Sequence, residues 1–329
     1  MTAQTGVASG RSDWRDKAAT GFAAGDAFVR RLGLSAALVI LFVFGAALVF
    51  LVQGSRPALE AFGLRFFTTE AWSPVAQRFG AAASIYGTAT TAAIAILIVA
   101  PVGIGIAIFL AEICPRNLRR PTGVVVELAA AVPSVIYGAW GLFVLAPFME
   151  RHVEPLLIAL FDPVPILREL FAGPPHGVSL LTAALILAIM ALPFVASTLR
   201  DVLTLVPPTL RESAYAVGCT HREVVGRFVI PYARSAVMGA LALGLGRALG
   251  ETIAVAFVVG NAHAAPASLL QPGTTISATI VNEFPEATGE LWTSSLIALG
   301  LALFAISFVV LALARLMLLS LDRKATRRV

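Results

Sequence analysis

Six long apolar runs constrain what this chain can fold into. They cover residues 34–52, 85–113, 124–148, 179–199, 235–259 and 293–319. Roughly 20 apolar residues are needed for a helix to cross the hydrocarbon core of a bilayer. Lipid offers no partner to backbone N–H and C=O groups, so each span must satisfy its own hydrogen bonds. The runs therefore specify an all-α membrane protein with six transmembrane helices. Composition agrees: 13% of residues are charged, against about 25% in a soluble domain. The net charge of +5 does not mark a nucleic-acid binder, because the positive residues are spread over short loops and tails.

The placement of those charges orients the bundle. Most of the 24 Lys and Arg residues fall in 1–33, 114–123, 200–234 and the stretch from Arg315 onward. The intervening loops hold few, and 261–292 holds none. Cytoplasmic loops carry the excess of Lys and Arg, so both termini and the 200–234 loop are expected in the cytoplasm. Residues 1–33 read as a partly disordered cytoplasmic tail, 34–320 as the membrane domain and 321–329 as a basic cytoplasmic tail. The first run reads as a signal anchor, since its polar leader is long and no A-x-A-like cleavage site follows it. Phe66, Phe67, Trp72 and Phe79 are expected at the membrane interface as an aromatic belt. Cys114 and Cys219 are expected as free thiols, and no Cys/His spacing suggests a metal site. His152, His176, His221 and His263 are expected to be solvated.

The polar interlude Pro207–Pro231 interrupts the apolar pattern. Pro207-Pro208 ends the fourth span and suits a helix start. Leu210–Val217 then reads as a short helix, with Gly218 able to take the left-handed conformation that ends it. Thr220 and Glu223 form a capping-box pattern for a second short helix, which Pro231 is expected to stop. Local pattern alone leaves two readings, an amphipathic connector and a docking elbow.

The same residues resemble the EAA loop of ABC importer permeases, E-A-A-x3-G-x9-I-x-L-P. Here Glu212, Ser213, Ala214, Gly218, Phe228, Ile230 and Pro231 occupy the pattern positions. Ser213, Phe228 and Ile230 depart from it, small for small or apolar for apolar. The resemblance implies that the loop docks into a separate ATP-binding subunit, with Glu212 at the contact and Gly218 as the turn. No Walker A pattern G-x4-G-K-[ST] occurs in the chain, so nucleotide is expected on another polypeptide.

The fifth run carries Arg247 and Glu251. An ionised group at mid-membrane costs about 2.5–3.5 kcal/mol on insertion scales, so such residues face a bundle interior or a wet cavity. Four residues apart, the two are expected to share one helix face, continued by Ala240 and Gly244. Gly246 and Gly250 make a GxxxG pair for close helix packing. One reading is a structural ion pair; the other is a substrate path, in which a guanidinium fork attracts an oxyanion and Glu251 holds it in place.

The run from Leu245 to Val255 is similar to the G-R-A-x-G-E-T signature of phosphate-specific ABC permeases, closest to the PstC-type subunits of the Pst system. Glu127–Gly141 resembles that family's third span with its P-S-V-x-Y-G core, although Ala130-Ala131-Val132 replaces the more usual Ala-Gly-Ile. Ala191–Leu203 and the region of Glu112 resemble it too. The likeness covers most of 85–319. It implies import of inorganic phosphate along Arg247, Glu251 and Thr252. It also implies a second homologous permease as partner, two ATP-binding subunits and a periplasmic phosphate-binding protein, with no cofactor on this chain. Ser134 and Tyr137 are candidates for the pore lining, with packing as the alternative. Glu127 is expected in a first helical turn, satisfied by the dipole. Glu283, Glu286 and Glu290 form an acidic outer loop, solvated or in contact with the binding protein.

Competing functions are a permease for molybdate or sulfate, a secondary anion transporter and a membrane hydrolase. The second has no use for a docking elbow, and the third lacks a nucleophile–base pair. The chain is therefore expected to do no covalent chemistry.

Overall fold

A computed structural model of the protein describes residues 10–326, with side chains from 28 to 318. No strand longer than the isolated bridges Ser73–Arg78 and Gly260–Gly273 occurs among the described residues. The chain divides at Gln53/Gly54 into two units.

The first unit is one helix, α1 (Gly10–Gly54), whose apolar part from Phe28 supplies one candidate span. Helix therefore takes in residues 10–33, where a partly disordered tail is expected. No proline occurs before Pro57, and the Ala-rich stretch ahead of the span lets the helix propagate backward from it. Residues 1–9 of the expected tail lie outside the described residues.

The second unit holds α2 (Arg56–Phe62), α3 (Ala82–Ile108), α4 (Arg116–Ala130), α5 (Ser134–Trp140) and α6 (Glu154–Phe161). It continues with α7 (Leu180–Thr204), α8 (Pro208–Ala216), α9 (Ile230–Gly250), α10 (Ile253–Val258), α11 (Ile276–Glu283) and α12 (Glu290–Thr326). Five stretches are long and apolar enough to cross a membrane, and a bent pair, Arg116–Ala130 with Ser134–Phe161, makes a sixth. The helix α12 runs into the expected basic tail as far as Thr326, beyond which 327–329 lie outside the description.

Small residues set the packing of the core. α3 lies along α7, with Ala83, Gly87, Thr88, Thr91 and Ala95 buried. A Cβ at Gly87 would come within 1.8 Å of the Thr274 carbonyl oxygen, so only glycine permits that approach. The hydroxyls of this face are satisfied locally: Thr88 donates to the Ser84 carbonyl at 2.8 Å and Thr91 to the Gly87 carbonyl at 2.7 Å. Ser179 caps α7 by accepting from the Thr182 amide at 3.2 Å.

The aromatic belt expected around 66–79 is instead part of a core. Phe66 and Phe79 are buried, and packed with them are Phe62, Trp72, Leu296 and Leu299. Phe62 stands edge-on to Phe79 with ring centroids 6.2 Å apart, and Trp72 edge-on to Phe79 at 5.0 Å. Ring-on-ring packing of this kind outcompetes a position at the headgroups. Cys114 and Cys219 are free thiols, as expected.

Candidate functional site

Two of the six expected spans are broken, and the breaks define the site. The third expected span bends by 84° between Ala130 and Ser134. Pro133 takes φ −58° and ψ 140°, since a proline ring clashes with a preceding helical turn. The bend frees the last carbonyls of α4, and the Tyr137 hydroxyl donates to one of them, Ala129, at 2.9 Å. Tyr137 thus ties the start of α5 to the end of α4 across the bend. Ser134 opens α5 and is half-buried.

The fifth expected span ends at Gly250 rather than 259. Glu251 is extended, with φ −70° and ψ 133°, and Thr252 donates its hydroxyl to the Gly250 carbonyl at 3.2 Å. The chain resumes as the short α10. The shared helix face expected for Arg247 and Glu251 therefore does not exist, and no ion pair joins them among the described residues. Gly250 meets nothing within 4 Å at its Cβ position, so the expected GxxxG contact does not form through it. Ala240 and Gly244 do face a neighbour: a Cβ at Gly244 would lie 2.4 Å from Val195 of α7.

Both breaks meet. α5 packs on α10, with a Cβ at Gly138 falling 3.0 Å from the Ala254 Cα and one at Gly141 3.0 Å from Val258. Unwound backbone inside a bundle is tolerated where it is buried in protein or lines a cavity, and discontinuous helices of this kind form binding sites in transporters.

Arg247 sits in the last turn of α9, where the helix dipole favours a cation. Its guanidinium carbon lies 5.6 Å from the centre of the Phe194 ring on α7. The side chain is exposed in the isolated chain and has no carboxylate partner among the described residues. An exposed cation–π contact contributes about 0.5–1 kcal/mol, less than the ~2.5–3.5 kcal/mol cost of an arginine at mid-membrane. Its own contacts do not account for its presence, and its five N–H donors remain available to an anion.

The elbow at 207–231 follows the expected pattern in its first half. Gly218 takes φ 88°, its amide bonding to the Tyr215 carbonyl at 2.9 Å and the Cys219 amide to that of Ala214 at 3.1 Å. Thr220 and Glu223 form the capping box. Glu212 is exposed and Ala214 is buried in the main core. Pro231 does not stop the second helix. A π turn over Val224–Val229 leads directly into α9, and the wider turn absorbs the missing N–H and the ring of Pro231.

Three pairings escape the sequence pattern. Arg211 binds Glu112, in the π turn Phe109–Ile113 after α3, at 2.8 Å. Glu127 lies in the last turn of α4, not a first turn, because that helix begins at Arg116; Arg200 carries its charge at 2.8 Å. Glu283 and His263, expected to be solvated, bond at 2.8 Å. The Trp72 and Trp292 indoles also donate to the Glu283 carboxylate. Burial opposes ionisation of Glu283, but these three donors outweigh it and hold the carboxyl below its ordinary range.

A helical bundle with five or six candidate spans, two of them broken, is the architecture of a multi-pass membrane protein. Residues 103–323 match the family described as binding-protein-dependent transport system inner membrane component, and the chain belongs to that family. It is 57% identical over 310 residues to the phosphate transport system permease protein PstC of Mesorhizobium japonicum, covering 94% of this chain and 95% of the relative. It is 49% identical over 321 residues to the protein of the same name from Xylella fastidiosa strain 9a5c, covering 98% and 97%. A probable phosphate transport system permease protein PstC of Methanocaldococcus jannaschii is 38% identical over 283 residues, covering 84% and 88%. Among solved structures, the bacterial alginate ABC transporter in complex with a pentasaccharide-bound periplasmic protein aligns with a TM-score of 0.55 and 17% identity, covering 85% of this chain and 93% of that one. An inward-facing MetNI methionine ABC transporter aligns with a TM-score of 0.52 and 15% identity, covering 72% and 94%. At such identities the likeness is one of fold, and that fold is the expected ABC importer permease bundle.

Proposed function

We propose that this chain is the membrane-spanning subunit through which an ATP-driven importer carries inorganic phosphate across the cell inner membrane. The observation that carries the reading is an unpaired guanidinium at a broken span, in a chain 57% identical over 310 residues to a phosphate transport permease. Arg247 receives the oxyanion in bidentate fashion. Glu251 and Thr252 lie on the adjoining break between α9 and α10, and Ser134 lies at the start of the neighbouring helix. Glu251 does not clamp Arg247; its negative charge nearby limits how tightly an anion is held.

A second homologous permease completes the pathway, and two ATP-binding subunits grip the elbows, here Glu212 to Gly218. Ala214 seats the elbow on the core. A periplasmic phosphate-binding protein delivers the anion on the side opposite the elbow. Both termini and the elbow lie in the cytoplasm, as the Lys and Arg placement supports. The chain itself does no covalent chemistry and holds no cofactor; ATP is bound by the partner subunit. Uptake of labelled phosphate by proteoliposomes of the complete importer tests the substrate. Competition by excess unlabelled phosphate but not by sulfate or molybdate is expected, and equal competition by all three contradicts it.

A further inference from the structure

A cavity of about 430 Å³ opens between α4 and the C-terminal end of α7, outside the site described above. Arg116, Arg119, Arg120, Arg200, Glu127 and Asp201 line it. The two carboxylates are already committed: Arg200 bonds Glu127 and Asp201, each at 2.8 Å. Glycine at 123 makes room for that guanidinium, since a Cβ there would fall 2.5 Å from its Nη1. Arg116, Arg119 and Arg120 have no carboxylate partner among the described residues. Three uncompensated guanidinium groups therefore share one cavity wall.

The helix that carries them is amphipathic. Arg116, Arg120, Gly123 and Glu127 recur at helical spacing on the face toward α7, while the exposed Leu118, Val125 and Leu128 lie on the opposite face. The helix turns by 84° from the segment that follows, so its arginine-bearing start lies at one end of the broken span. Basic pockets between spans on the arginine-rich side of a bilayer take phosphate-bearing head groups.

We infer that this cavity is a second anion site, which binds a phosphate group through Arg116, Arg119 and Arg120. Two sources present that chemistry at this face: the phosphodiester of an anionic phospholipid and free cytosolic phosphate. Occupancy would tie α4 to α7, whose C-terminal end Arg211 of α8 holds through the carbonyls of Leu203 and of Val206 just past the helix. The site would then report on the membrane or the cytosol to the elbow.

The test uses the complete importer in nanodiscs, in an Arg247→Ala background so that anion binding in the pathway does not contribute. In the first arm, native mass spectrometry counts phosphatidylglycerol retained against phosphatidylcholine. In the second, hydrogen exchange over 116–130 is followed in phosphatidylcholine discs with inorganic phosphate or with sodium chloride of matched ionic strength. Retained lipid identifies a lipid source, and phosphate-dependent protection identifies the free ion. Either signal should weaken about a hundredfold in affinity when Arg116, Arg119 and Arg120 are all changed to alanine. Changing them to lysine should restore part of it. Absence of both signals, or a signal of equal strength in the alanine variant, overturns the proposal. Subunit stoichiometry from the same spectra separates loss of the site from loss of assembly.

Discussion

Arg211 and Glu112 meet 2.8 Å apart, joining α8 to the π turn that follows α3. The same guanidinium donates to the carbonyl of Leu203 in the last turn of α7 and to that of Val206 just beyond it. One side chain thus links the elbow to the two helices that form the centre of the bundle. If an ATP-binding subunit grips Glu212, as proposed, this side chain is its route into the bundle.

Breaking that link should uncouple the machine. Glu112→Gln removes the charge and keeps the shape, and Arg211→Ala leaves Glu112 alone. The carboxylate side chain is 9% exposed and the guanidinium 20%. The expected loss of stability for Arg211→Ala is about 1–3 kcal/mol, the cost of leaving a partly buried acceptor unpaired. ATP hydrolysis by the complex should persist while phosphate uptake falls, as measured in one proteoliposome preparation. Uptake and hydrolysis falling in proportion would contradict the route.

Gly218 should resist side chains that disfavour a positive φ. Its φ of 88° costs an L-residue about 1–2 kcal/mol. Nothing lies within 4 Å of where a Cβ would be, so the cost is conformational and not steric. Gly218→Val should misplace the elbow and lower uptake per ATP hydrolysed, whereas Gly218→Asn, which tolerates this region, should retain more. Identical coupling in both variants would refute the turn's role.

Tyr137→Phe distinguishes a structural ring from a pore-lining one. Its hydroxyl donates to the Ala129 carbonyl, which the Val132 amide reaches only at 3.4 Å, and a net hydrogen bond of this kind contributes about 0.5–1.5 kcal/mol. Thermal stability of the complex should fall while the apparent KM for phosphate stays unchanged. A large KM change at unaltered stability would return Tyr137 to the substrate path.

The Glu283 cluster gives a pH dependence of stated sign. Hydrogen bonds from His263, Trp72 and Trp292 hold the folded carboxyl below the ordinary Glu value of 4.5, against the effect of burial. A depressed carboxylate contributes stability that is full above that ordinary value and is lost as pH falls through the lowered folded one. Unfolding midpoints should therefore drop at acidic pH, and Glu283→Gln should lose that part of the drop. An acid profile unchanged by the substitution would exclude Glu283 as its source.

The parts of this fold that were legible in the sequence are those set by local chemistry. Apolar run length located the spans, a glycine between polar helices located the turn at 218, and Thr220 with Glu223 located the second cap. The parts that were not legible depend on partners far along the chain. Arg211 finds Glu112 across 99 residues, and neither position is periodic with the other. The break at Glu251 hides inside an apolar run, since Ile253–Val258 continues the hydropathy that Gly250 interrupts. Pro231 misleads for a related reason: the π turn ahead of it changes the helical register without changing the residue pattern.

Arg247 bears the central claim, and transport by its variants is the most direct measurement of it. Complete importers with Arg247, Arg247→Lys and Arg247→Ala are reconstituted and assayed for ATP-driven uptake of labelled phosphate at equal subunit content. Uptake should vanish in the alanine variant, survive weakly in the lysine variant that keeps charge but loses the bidentate fork, and leave assembly intact in both. Undiminished uptake in assembled Arg247→Ala would contradict the account.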